Sequence, residues 1–182
     1  FEIDAADYED NRHFFLSRYF RDRYDGSMAS LPNLTTGIEI NRVEVWVTNK
    51  TGTTSNTRNI VALTDLGENA VVSNSQWSVT GMGVPSNQAN TEYQAMVSSY
   101  VDARDIDQTS TVLAGIPNFE GGVDYEKLSS ARLLTSSEYT INKSLGYISL
   151  KTGLQTDQVL AVAYEFTAGG QTYQVGEFAS DN

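Results

Sequence analysis

Three features of the sequence predict an α+β fold of mostly antiparallel, sandwich-like sheet, packed by a long N-terminal amphipathic helix and a second helix near 89–104. The first is an aromatic-rich stretch, NRHFFLSRYFRDRYDGSMASL, whose large side chains recur at helical spacing. The second is the run GIEINRVEVWV behind it, β-branched enough for a long strand. The third is a pair of hairpin patterns near the end of the chain, where alternating apolar residues flank KSLG and AGGQ.

Phe1 to Asp4 reads as a short strand leading into the helix. From Asn11 to Leu31, Phe15, Leu16, Tyr19, Phe20, Tyr24, Met28 and Leu31 recur three and four apart, one broad stripe that must face a core. Asp7 or Asp10 is the expected cap, and Pro32 the expected stop. Such a helix is roughly 30 Å long, enough to lie across a sheet. Arg12, Arg18, Arg21 and Arg23 make it the one basic zone of an acidic chain. Two readings stand: ion pairing within the chain to Glu2, Asp4, Asp7, Glu9 or Glu44, or a docking face for an acidic protein partner.

In the strand that follows, Ile38 and Ile40 lie on one parity while Val43, Val45 and Val47 lie on the other. A bulge near Asn41-Arg42 reconciles the two halves and puts Trp46 on the opposite face with Glu44 and Arg42. Arg58 to Leu66 supplies another strand, expected to form a hairpin with the first. Gly67 to Gln88 is rich in Asn, Ser and Gly, with a strand expected around Gln76 to Thr80. Tyr93, Met96, Val97, Tyr100 and Val101 then restore a helical period, with Asn90 or Thr91 as cap. Val123 to Leu134 fits short helix or extended chain equally. Tyr139–Asn142 with Tyr147–Leu150, and Val159–Phe166 with Gln171–Phe178, read as two hairpins.

The 182 residues suit one domain, with sub-parts 1–120 and 121–182. With 12 basic and 23 acidic side chains the net charge of −11 repels nucleic acid and anionic lipid, so neither is an expected partner. No run approaches the length of a spanning helix, and the fragment is not expected to cross the membrane. The first residue is Phe rather than Met, which we read as a piece of something longer.

Reactive chemistry is sparse. There is no cysteine, no GxSxG elbow and no phosphate-cradling GxxxxGK[ST] loop, and Gly81-Met82-Gly83 is too short for a dinucleotide fingerprint. His13 stands alone, whereas a metal site needs several donors and a general base needs an orienting neighbour. Asp102, Asp105 and Asp107 lack the glycine and terminal glutamate of a calcium-binding loop and read as a solvated turn. We expect no catalytic, cofactor-binding or metal-ligating residues. Trp46, Trp77 and ten tyrosines raise a second hypothesis, a β-rich surface module that binds carbohydrate or an extended peptide through aromatic rings.

Taken together, NRHFFLSRYFRDRYDGSMASLP, GIEINRVEVWVTNKTG, TRNIVALTDLGE, DYEKLSSARLLTSSEYTINKSLGYISL and YQVGEF resemble the SprA/Sov family of Bacteroidetes cell-surface proteins. The resemblance implies a soluble domain of a very large outer-membrane protein, the β-barrel translocon of type IX secretion, which is also needed for gliding motility. It implies location in the cell envelope, at the outer membrane. Its expected contacts are other parts of the same protein, accessory subunits such as the PorV-type protein, and secreted cargo. It supplies no catalytic residues. The candidate docking surface is then the helix bearing Arg12, Arg18, Arg21 and Arg23.

Overall fold

The computed structural model describes residues 10–30, 32 and 36–181. In chain order these form β1 (His13–Phe15), α1 (Arg18–Met28), β2 (Ile38–Val47), β3 (Thr57–Leu63), α2 (Glu92–Ser98), α3 (Thr109–Ala114), β4 (Tyr125–Leu133), β5 (Tyr139–Asn142), β6 (Tyr147–Leu150), β7 (Leu160–Ala168) and β8 (Gln171–Val175). Single 3₁₀ turns occupy Val101–Arg104 and Ala179–Asp181. The strands make two antiparallel sheets, one ordered β1-β6-β5 and the other β3-β4-β2-β7-β8. Each sheet draws strands from both sides of residue 120. The strand expected at 1–4, the cap expected from Asp7, and the partners Glu2, Asp4, Asp7 and Glu9 lie outside the described residues.

The long N-terminal helix is not what forms. His13–Phe15 is extended and pairs with β6, His13 opposite Ser149 and Phe15 opposite Tyr147. The Leu16 amide then donates to the Gly146 carbonyl at 2.9 Å, so sheet bonds hold the backbone that the aromatic spacing assigned to a helix. Helix α1 begins only at Arg18, whose amide donates to Glu68 Oε1 at 3.1 Å. It ends at Met28, before Pro32, where Gly26, Ser27 and Ser30 weaken the last turn and the Ser30 hydroxyl bonds the Ser27 carbonyl at 2.7 Å. Tyr19 and Phe20 still face the core. Phe20 is 2% exposed and packs edge-on against Tyr164 and Phe166, at centroid distances of 6.0 and 5.5 Å.

The expected bulge is present: the β2–β7 register shifts between Ile40 and Arg42. Ile40 and Val45 consequently share one core with Tyr164, Phe166 and Val175 of the large sheet, Ile148 and Leu150 of the small one, and Leu16, Tyr19 and Phe20. Trp46 faces the other way, its indole nitrogen donating to Glu44 at 3.3 Å.

The β2–β3 hairpin does not form. β2 lies between β7 and β4, pairing with β4 at Trp46 and Val47, and β3 pairs with β4 alone. With both edges of β2 occupied, β3 reaches only the partner's far side. β4 is the stretch that fitted helix or strand equally; Ser130, at φ 54°, and the register shift between Arg58 and Ile60 break its alternation. Both C-terminal hairpins form where expected, β5–β6 and β7–β8.

Alternate residues of β3 feed two further cores. Ile60 and Ala62 pack with Trp46, Leu128 and Ala131, while Val61 and Leu63 pack with Trp77, Leu113, Ile116 and Phe119. The helix expected near 89–104 is realised as α2 followed, after Ser99-Tyr100, by the 3₁₀ turn, and Val101 is exposed rather than core. The Asn90 side chain caps α2, its Oδ1 accepting from the Glu92 amide at 2.9 Å. In place of a strand at 76–80 there is an isolated bridge between Val79 and Asn90. Among the described residues no helix is long and apolar enough to cross a membrane.

Candidate functional site

A cleft of about 740 Å³ runs beside the edge strand β3. Residues 58–64 line one side, and residues 160–164 with 175–179 line another. Tyr93, Met96 and Val97 of α2, Tyr100, and Ala103 and Arg104 of the 3₁₀ turn also line it, as do Trp46 and Glu68. Alanines at 62, 103, 161 and 163 leave the room that larger side chains would fill. Two contacts tie the sides together. Arg58 Nη1 donates to the Ala179 carbonyl at 2.7 Å. Arg104 grips Glu177 through both terminal nitrogens, Nη1 to Oε2 at 2.8 Å, and the Tyr93 hydroxyl donates to the same carboxylate at 3.0 Å. The Glu177 hydrogen bonds hold the Arg104 guanidinium above its ordinary range, and burial followed by that carboxylate raises the Tyr93 phenol.

Behind the cleft, the long loop 64–91 is organised by buried polar groups. Asp65, Glu68, Glu92 and Asp124 are all buried, with Asn74 and Asn90 among them. Asp65 Oδ2 accepts from the Ser73 and Asn74 amides at 2.7 and 2.9 Å. Asn74 Nδ2 donates to Asp124 Oδ1 at 3.1 Å, and Asp124 Oδ2 accepts from the Glu120 amide at 2.7 Å. Asn90 Nδ2 donates to the Asp65 and Glu68 carbonyls at 2.7 and 3.0 Å. These bonds hold a strand-free loop against the sheet without an apolar run of its own. Glu92 differs: it is 0% exposed and neither carboxylate oxygen has a hydrogen-bond partner. Burial first, then the charges of Asp65 and Asp124, push it up to about 8. Burial likewise raises Glu68. Glu92 does not line the cleft, so its proton is not presented there. Among the described residues no group of three or more His, Cys, Asp or Glu side chains is placed to hold a metal ion.

The four arginines singled out from the sequence do not share one face. Arg18 turns onto the loop, donating to the Val71 carbonyl at 2.9 Å and Ser73 Oγ at 2.8 Å, 3.8 Å from Asp65 Oδ1. Arg23 lies over the Tyr19 ring, 3.7 Å from its centroid. Arg21 pairs with its neighbour Asp22 at 3.0 Å and is largely exposed. Arg12 is half-buried beside Gly153, and its carbonyl accepts from the Leu150 amide at 2.8 Å. His13 Nδ1 hydrogen-bonds Ser149 Oγ at 2.8 Å. Trp46 and Trp77 are 6% and 7% exposed, so the two indoles offered for sugar stacking are packed inside. The sequence reading missed Tyr93, Arg104 and Glu177 as a group; the only local trace was an arginine following an apolar helical stripe.

No protein-family model matches the chain, and no curated protein matches it.

Proposed function

We propose that this chain is a non-catalytic structural and protein-interaction domain of a SprA-like outer-membrane translocon, serving type IX secretion and gliding motility. The observation that carries this reading is how the charged groups are used. Arg18 closes onto the 65–73 loop, Arg42 onto Asp181, Arg104 onto Glu177 and Arg132 onto Glu138, each fastening one segment to another. The stretches that carry the resemblance form β1, α1, β2, β3, the run from β4 to β6 and the end of β8. What remains open is a sheet edge, a cleft and the outer side of α1 with Arg21, surfaces suited to protein contacts in the cell envelope. The remainder of the translocon, its accessory subunits and its cargo are the proposed partners.

Immobilised domain should capture at least one of these with micromolar affinity, measured by interferometry with purified PorV-type subunit, translocon lacking this domain, and folded cargo. No binding by any of the three at about 100 µM would end the reading. The alternative is a carbohydrate- or peptide-binding module, and the 740 Å³ cleft beside Trp46 and Tyr93 favours it. Oligosaccharides that quench tryptophan emission at millimolar concentration would support its sugar form.

A further inference from the structure

The two edges of the large sheet are treated differently. At β8, Asn87 covers the C-terminal end of the edge: its amide donates to the Gln174 carbonyl at 2.8 Å, its Oδ1 accepts from the Gly176 amide at 2.8 Å, and its Nδ2 donates to the Gly176 carbonyl at 3.1 Å. That is how a protein blunts an edge against stray pairing. Along Val61 and Leu63 of β3, nothing equivalent is present among the described residues. The Thr64 amide donates to the Asp124 carbonyl at 2.8 Å, which fixes the phase of the β3–β4 ladder. In antiparallel pairs the bonded positions alternate, so Ala62 and Ile60 face β4 while the amides and carbonyls of Val61 and Leu63 point away from it. Among the described residues none of those four groups has a hydrogen-bond partner on that side. They border the cleft.

We infer that the β3 edge accepts an extended, uncharged peptide segment that pairs with Val61 and Leu63 and lays alternate side chains into the cleft. Resting on the protein-interaction reading above, this names what such a partner would present. Arg58 and Arg104 balance Glu68 and Glu177 along the cleft, in a chain whose net charge is −11, so this strip is locally neutral and favours an apolar, uncharged occupant. Ladder bonds supply affinity whatever the sequence, and the room left by Ala62, Ala161 and Ala163 selects for medium-sized apolar side chains.

The test uses this chain with a capped hexapeptide alternating Val and Thr, and the same peptide N-methylated at alternate amides. Binding is followed by amide chemical shifts and hydrogen exchange. The expected result is that the first peptide shifts and protects the Val61 and Leu63 amides, and that N-methylation weakens binding at least tenfold. Val61→Pro, which removes an outward N–H and no β4 bond, should weaken binding similarly while leaving the unfolding midpoint near that of the parent. Equal binding of both peptides, or protection of Val61 and Leu63 that rises with protein concentration alone, would overturn the inference in favour of a simple apolar pocket or of self-pairing. Absence of peptide binding overturns it too; capture of translocon components would then survive unaffected, separating this failure from failure of the proposed function.

Discussion

Replacing Glu92 by Gln should flatten part of the pH dependence of folding stability. In the native protein the carboxyl is fully buried without a hydrogen-bond partner, beside Asp65 and Asp124, and its pKa is raised from 4.5 to about 8. Because the folded value lies above the unfolded one, the folded state holds this proton more tightly. The associated stability is complete below about pH 4.5, falls as pH rises, and is gone once pH exceeds about 8. At 1.36 kcal/mol per pH unit the slope is about −1.4 kcal/mol per unit across that window, and the total loss is about 5 kcal/mol. Gln keeps the shape and cannot ionise. Any cost of burying its amide, of order 1–3 kcal/mol, is independent of pH and drops out of the slope. Urea unfolding of both proteins at several pH values from 4 to 9, followed through the buried Trp46 and Trp77, gives the difference directly. A wild-type-minus-variant curve that is flat from pH 5 to 8 would show that Glu92 does not carry an extra proton in the folded state.

Three further outcomes follow from the packing. Phe20→Ala is expected to cost about 3–5 kcal/mol in chemical denaturation, because the ring fills the junction between α1 and the large sheet; under 1 kcal/mol would place it outside the core. Gly146→Ala is expected to cost about 2–4 kcal/mol, since a Cβ there falls on the Phe20 ring and φ is +65°; a neutral result would mean the β5–β6 turn yields freely. Arg18→Ala should cost about 1–3 kcal/mol and speed hydrogen exchange in the 65–73 loop, whereas Arg21→Glu should change stability by less than about 0.5 kcal/mol; equal effects would deny Arg18 its anchoring role. Charge reversal at Arg18 therefore unsettles the fold itself, and Arg21 is the cleaner probe of α1 as a contact surface.

Where the sequence was legible, the determinants were local. KSLG and AGGQ place glycines at the positive φ angles their turns need, at Gly146, Gly169 and Gly170, and the flanking alternation then set both hairpins. The parity break at Asn41-Arg42 announced a bulge because a single strand must keep one apolar face. The same local logic failed at 11–17. Phe15 and Leu16 fit a helical stripe, yet the backbone bonds of this stretch go to β6 and to Gly146, which the spacing of side chains does not encode. It was silent at 123–134, where Ser130 interrupts the alternation.

The amino-acid order by itself determined the all-antiparallel hairpins, the amphipathic core of α1 and the acidic, cysteine-free surface chemistry. Only the tertiary structure decided that β4 stands between β2 and β3, that Asn87 covers the end of one edge while Val61 and Leu63 leave the other open beside the cleft, and that Glu92 comes to rest near Asp65 and Asp124. The reason is range. Turns and alternation are set by neighbours a few residues apart, whereas strand order and buried charge depend on which distant segments can share one apolar face once chain entropy has been overcome.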